Sequence, residues 1–166
     1  MKVRPLEKSD ERWLWEYRNH PDVRHGMLDP AEIQWEIHRR WFEASLENKS
    51  KLFLVGESKT GPVGLVYFDD VRAASTTWGF YVGAPFQGKG HGIPMGELAL
   101  AFLFEHSSVA TVIGEVLEEN ARSEDYHLKL GFQKTARTRS ASRLGQEVTL
   151  LQFELSREDW AKREQA

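Results

Sequence analysis

The sequence predicts an α+β fold built on a mixed sheet, and three observations carry that expectation. Helical patterns gather near the N-terminus, after which strand patterns dominate with two helical segments between them. A Gly-rich turn from Gly83 to Gly92, GAPFQGKGHG, joins a strand-like run to a long apolar helix. A second crossover helix pattern stops at Gly131, ahead of two final strands.

The first strand is expected at residues 2–6, followed by Ser9-Asp10 as the N-cap of a helix through Trp13, Leu14 and Tyr17. Pro21 ends or breaks that helix. Asp29-Pro30 is expected to open a second helix, because Ile33, Ile37 and Trp41 recur at helical spacing, with Trp35 and Phe42 widening the stripe. Strands follow at 52–57, 63–68 and 76–82, the first two joined as a hairpin by Lys59-Thr60-Gly61-Pro62. The helix expected at 90–106 is apolar almost all round, which suits burial against a sheet, and Pro94 falls in its first turn. A strand at 109–117, a helix at 120–130 and strands at 132–140 and 146–155 complete the series, with a helical turn in the tail at 156–160. No repeat or linker interrupts the chain, so residues 1–166 read as one domain.

Composition sets outer bounds. The chain is 40% hydrophobic and 28% charged, which is globular rather than disordered. A formal net charge of −3 argues against nucleic acid or an anionic membrane as partner. The basic residues Arg137, Arg139 and Arg143 read as a solvated hairpin. With no cysteine there is no disulfide, thiol nucleophile or thiolate metal site, and the six histidines show no metal-ligand spacing, so no metal is expected. No signal-like or membrane-length apolar segment is visible, and a cytoplasmic protein is expected.

The Gly-rich turn carries the chemistry. Backbone N–H groups at a helix N-terminus, with the helix dipole behind them, make an anion site. A dinucleotide fingerprint fails on spacing, since Ile93 and Met95 stand where a third glycine is needed. A phosphate-binding P-loop is a near miss, because Gly90 replaces the hydroxyl that would hold magnesium. The pattern Q-x-x-G-x-G is met by Gln87, Gly90 and Gly92, and a purely structural turn stays open beside it.

Residues 120–132, NARSEDYHLKLGF, then narrow the choice. The loop and this segment together resemble the GCN5-related N-acetyltransferases (GNAT), whose corresponding motif is N-x-x-[AS]-x-x-L-Y-x-K-L-G-F. The resemblance implies the GNAT fold, a mixed seven-stranded sheet splayed between its fourth and fifth strands and flanked by about four helices. It implies acetyl-CoA as co-substrate, with its pyrophosphate on Gln87, Gly88, Lys89, Gly90, His91 and Gly92 and its pantetheine arm along Phe80, Tyr81 and Val82. Asn120 is implied to bind the cofactor arm, and a backbone N–H near Tyr81–Val82 to meet the thioester carbonyl.

The N-terminal half is similar to one subgroup. Arg18-Asn19-His20-Pro21-Asp22-Val23-Arg24, Met27 and His38-Arg39-Arg40-Trp41-Phe42 resemble the R-N-H-P-x-V-R…M…H-x-x-W-F pattern of the UDP-4-amino-sugar N-acetyltransferases of pseudaminic acid biosynthesis. The implied acceptor is the 4-amino group of UDP-4-amino-4,6-dideoxy-N-acetyl-β-L-altrosamine. Arg18 would bind a UDP phosphate, His38 the nucleotide, and Met27 and Tyr67 would line the side facing the 6-deoxy sugar. Relatives acting on protein N-termini or polyamines share parts of these motifs, and a non-catalytic acyl-CoA or nucleotide-sugar binding module is the alternative from another class. The resemblance also suggests a homodimer.

Two residues are candidates for proton transfer. Glu115, in an otherwise apolar strand beside the expected gap, can drain the amine's proton, or serve as a solvated or salt-bridged strand-end residue. His127 occupies the place of the family's tyrosine general acid; a neutral imidazole retains one N–H, so the role is chemically tenable. Tyr126 is adjacent, but one residue along a helix turns about 100°, so it faces elsewhere.

Overall fold

The computed structural model describes residues 1–164. The elements are β1 (Lys2–Pro5), α1 (Glu11–Asn19), α2 (Pro21–Arg24), α3 (Trp35–Glu47), β2 (Leu52–Ser58), β3 (Gly61–Phe68), β4 (Ser75–Val82), α4 (Gly92–His106), β5 (Thr111–Leu117), α5 (Ala121–Leu130), β6 (Gln133–Arg143), β7 (Gln146–Ser156) and α6 (Arg157–Glu164). The seven strands form one sheet in the order β1-β2-β3-β4-β5-β7-β6. Every neighbouring pair is antiparallel except β4 and β5. This is the mixed sheet that the order of motifs predicts.

The sheet is covered on both faces, and the strand alternation sorts the covers. Val66, Phe68 and Trp78 point to the face packed by Met95, Ala99, Leu100 and Leu103 of α4 and by Leu130 of α5. Phe53, Val55, Leu65 and Tyr81 point the other way, against Leu14 of α1, Val23 of α2 and Phe42 of α3. Trp160 of α6 seals the first core beside Phe104, with ring centroids 6.2 Å apart.

Two expectations about the helices need correcting. There are six α-helices among the described residues, not about four, because Pro21 serves as the N1 residue of the short α2 and the tail continues as α6. The helix expected from Pro30 starts at Trp35. Asn19 explains the delay: its side chain binds both the N–H of Ile33 (2.8 Å) and its carbonyl (2.9 Å). Trp15 also donates to the Ile33 carbonyl at 2.7 Å. Asp29 meanwhile folds onto the Ala31 amide at 3.1 Å as a local turn. Residues 30–34 are pinned as a connector onto α1, so of the expected stripe Ile33 stays outside the helix while Trp35, Ile37, Trp41 and Phe42 fall on α3.

The β6–β7 hairpin turns on Leu144 and Gly145, both left-handed at φ 54° and 75°. Beside it Arg143 reaches across the molecule to the carbonyls of Met27 (Nε, 3.1 Å) and His25 (Nη2, 2.8 Å). The loop after α2 is thereby tied to the far edge of the sheet. None of the described helices is long and apolar enough to cross a membrane.

Candidate active site

The parallel pair β4–β5 is short. Its register runs from Ser75 opposite Thr111 to Trp78 opposite Gly114, and then the strands part. Between Gly79–Val82 on one side and Glu115–Leu117 on the other lies a cleft of about 690 Å³, closed along α5 by Asn120, Ser123, Tyr126 and His127. The splay between the fourth and fifth strands is therefore present.

Backbone alternation decides which groups of β4 the cleft receives. The Gly83 amide donates to Val63 and the Thr77 carbonyl accepts from Asp69, so residues 77, 79, 81 and 83 spend their peptide groups on β3. Phe80 and Val82 therefore turn theirs toward the gap. The Val82 carbonyl is taken by the Gln87 side chain at 2.9 Å, while its amide finds no acceptor among the described residues. The expected thioester-binding amide falls to Val82 or Phe80 rather than Tyr81, whose N–H belongs to the sheet.

At the open end of the cleft stands the Gly-rich loop. Gly88 and Gly90 adopt φ values of 72° and 80°, which favour glycine, and a Cβ at either would meet open space. Among the described residues no backbone carbonyl accepts from the amides of residues 88–93; the first helical bond runs from Met95 to His91. These free donors at the N-terminus of α4 form an anion cradle. Gln87 and Gly92 also line the cleft, whereas Gly88, Lys89, Gly90 and His91 are not among its walls. Asn120 lines the cleft and caps α5, its Oδ1 accepting from the Ser123 amide at 3.0 Å.

His127 sits in the apex of the fork, 1% exposed. Its Nδ1 donates to the Ser123 carbonyl at 2.7 Å, and its Nε2 accepts from the Trp78 indole at 3.0 Å. Gly114 permits this, since a Cβ there would collide with the imidazole. Both ring nitrogens are thus committed and the ring is neutral with a fixed tautomer. The general-acid role that the motif position implies has no free N–H to deliver. Burial pushes the His127 pKa below its ordinary value, and does the same to His38.

That burial predicts acid sensitivity. Folded His127 and His38 resist protonation while their unfolded forms titrate near 6.5, so the unfolded state binds more protons as pH falls below that value. Stability is full above about pH 6.5 and declines below it by at most about 1.4 kcal/mol per pH unit for each histidine, until the folded pKa is reached. Denaturant midpoints between pH 7.5 and 5.5 measure it, and His127→Asn, which carries no titrating ring, should flatten the slope.

Glu115 lines the cleft but is not free. Arg139 of β6 holds both carboxylate oxygens, at 2.7 and 3.1 Å. The salt-bridged alternative for this residue is the geometry found, and the pair holds the Arg139 guanidinium above its ordinary pKa.

A second cavity, of about 370 Å³, opens on the α1–α3 face. Its walls include Trp41, Phe53 and His38, and it contains Arg18. Arg18 donates from Nη2 to the Asp29 carbonyl at 3.2 Å, while Nη1 is buried with no hydrogen-bond partner among the described residues. His38 is 3% exposed and donates from Nε2 to the Glu11 carbonyl at 2.8 Å, its ring packed at a tilt among Trp35, Trp41 and Phe42. Tyr67 lines both cavities; Met27 lines the cleft. Trp78, Arg139 and Arg143 escaped the motif reading because their partners lie 24 to 118 residues away. Among the described residues no three His, Asp or Glu side chains gather as a metal site.

Comparison with known proteins places this geometry. The model of the acetyltransferase (GNAT) domain matches residues 1–133. An SPbeta prophage-derived uncharacterized N-acetyltransferase, YokL of Bacillus subtilis (strain 168), is 32% identical over 103 residues, 61% of this chain and 58% of YokL. The chain thus matches well under two thirds of that relative's length. Spermidine N-acetyltransferase from Vibrio cholerae, solved with CoA and spermine, superposes with a TM-score of 0.87 over 96% of this chain and 97% of its own, at 16% identity. Ribosomal-protein-alanine N-acetyltransferase from Brucella melitensis gives 0.79 over 94% and 99%, at 20% identity. At such identities the two structures speak for the fold. The domain match over most of the chain, on a sheet splayed at the strand pair where that family opens its cleft, makes this chain a member of the GNAT acetyltransferase family.

Proposed function

We propose that the protein is an acetyl-CoA-dependent N-acetyltransferase whose acceptor carries an anionic group. The acceptor favoured by residues 18–42 is the 4-amino group of a UDP-linked 4-amino-4,6-dideoxy sugar of the altrosamine type, in pseudaminic acid biosynthesis. The observation that carries the anionic acceptor is Arg18 Nη1, buried and without a partner among the described residues, in an aromatic cavity beside the cleft. A buried guanidinium N–H left unsatisfied is costly, and a phosphate or carboxylate oxygen would satisfy it.

The cofactor reading rests on the free amides of residues 88–93 for the pyrophosphate, on Asn120 for the arm, and on the amides of Phe80 and Val82 for the arm and thioester carbonyl. The neutral amine attacks the carbonyl carbon, a C–N bond forms, the C–S bond breaks, and one proton passes from nitrogen to sulfur. Glu115 can take the nitrogen's proton once Arg139 releases an oxygen, directly or through water. The reading implies a cytoplasmic enzyme, where acetyl-CoA is supplied, and it carries the homodimer that the resemblance suggests.

A polyamine acceptor, as in the Vibrio cholerae enzyme, has the charge of the second cavity against it. Arg18 and Lys51 line that cavity against Asp69 alone, and Asp69 lies 3.9 Å from Lys51. A polycation needs the opposite balance. The test is thiol release from acetyl-CoA with the UDP-amino-sugar, spermidine and an N-terminal peptide as competing acceptors. Turnover of the UDP-amino-sugar is expected; turnover confined to spermidine or the peptide overturns the acceptor. Calorimetry showing no acetyl-CoA binding overturns the cofactor reading.

A further inference from the structure

The fork holds several groups able to carry a proton, and most are already committed. The Tyr126 hydroxyl donates to the Gly92 carbonyl at 2.8 Å, and the His127 N–H is spent on Ser123. Three residues line both the cleft and the second cavity: Tyr67, Asp69 and Tyr81. Asp69 is a carboxylate on the surface, and Tyr81 is 8% exposed. Among the described residues, no hydrogen-bond partner is found for the Tyr67 hydroxyl.

Its position is set by the strand register. Tyr67 of β3 stands opposite Gly79, the first residue of β4 beyond the last β4–β5 pair. A Cβ at residue 79 would fall on the edge and hydroxyl of the Tyr67 ring, so the bare Cα lets the phenol lie across the fork. Phe53 holds the ring from the side, with centroids 6.2 Å apart. A cofactor arm running back along β4 from the loop after Val82 brings its thioester end toward this point.

Resting on the acetyl-CoA reading above, we propose that the Tyr67 hydroxyl protonates the departing thiolate, reaching the sulfur from the acceptor face of the fork. As the C–S electron pair leaves on sulfur, the phenolic proton moves to it. The nitrogen's single proton, collected by Glu115 as above, then returns through water to the phenolate, so tyrosine and carboxylate are both regenerated and no further reactant is needed. Burial raises the phenol's pKa, opposed by the charge of Arg18 and aided by Asp69, which keeps it protonated near neutrality. Lys51, His38 and Tyr81 are the other ionisable groups lining the second cavity with it.

The test is Tyr67→Phe, which keeps the ring over Gly79 and removes the hydroxyl. With CoA bound, ultraviolet titration of the thiolate reads the donor directly and needs no acceptor. Loss of an O–H donor should raise the bound thiol's pKa by about one unit. With an acceptor present, kcat should fall tenfold or more while the acetyl-CoA Kd stays within twofold. An unchanged thiol pKa, or a kcat within twofold of wild type, overturns the role of Tyr67 and leaves the cofactor reading standing. A wild-type protein that binds no acetyl-CoA overturns both.

Discussion

Val82→Pro is expected to lower the acetyl-transfer rate by about 10²–10³-fold, the usual cost of one oxyanion donor, with the fold retained. The substitution deletes a single amide that the sheet does not use, because strand alternation turns the Val82 N–H into the cleft. Proline also suits the extended backbone here and leaves the Val82 carbonyl free to accept from Gln87. The contrasting variant is Tyr81→Pro, which removes an amide facing β3 and empties a buried aromatic position, and should lower the melting temperature of the whole domain. Single-turnover rates and thermal melts on both variants separate the outcomes. If Val82→Pro reacts within threefold of wild type, the thioester carbonyl is held elsewhere.

The second large effect concerns Arg18, and its sign is unusual. Arg18→Met should raise the KM of an anionic acceptor by about 10- to 100-fold, the equivalent of a charge-assisted hydrogen bond of about 1.5–3 kcal/mol. The free protein should meanwhile become equally or more stable, because methionine fills an aromatic cavity where an unpaired guanidinium N–H was buried. Activity and stability moving in opposite directions is the mark of a residue kept for its ligand rather than for the fold. A fall in melting temperature together with an unchanged KM would make Arg18 a structural residue. A lowered KM for spermidine in the same variant would strengthen the case that the cavity repels cations.

The strands, their hairpins and the two crossover helices were legible because each announces itself locally, through alternation, a glycine turn or a capping residue. The parting of β4 from β5 was legible only through the family motif, since no residue between Trp78 and Val82 breaks the strand pattern. The late start of α3 was hidden because Asn19 competes for the Ile33 peptide across 14 residues. The site divided along the same line. Loop glycines express local backbone demands and could be read in order, whereas Asn120 came from the family motif and its capping of α5 from the structure. The state of His127 and Glu115 depends on Trp78 and Arg139, which lie 49 and 24 residues away. Spacing names a residue type at a motif position; whether its nitrogen or oxygen is free is decided by what packs against it.

The Trp78–His127 pair also equips the molecule with a natural signal. An indole N–H held at 3.0 Å by a buried neutral imidazole should resonate downfield and exchange slowly, apart from the other five tryptophans. It sits at the last residue before β4 and β5 diverge. Any molecule entering between the strands should shift that one resonance, so occupancy of the cleft can be followed in the unlabelled protein by proton spectroscopy alone.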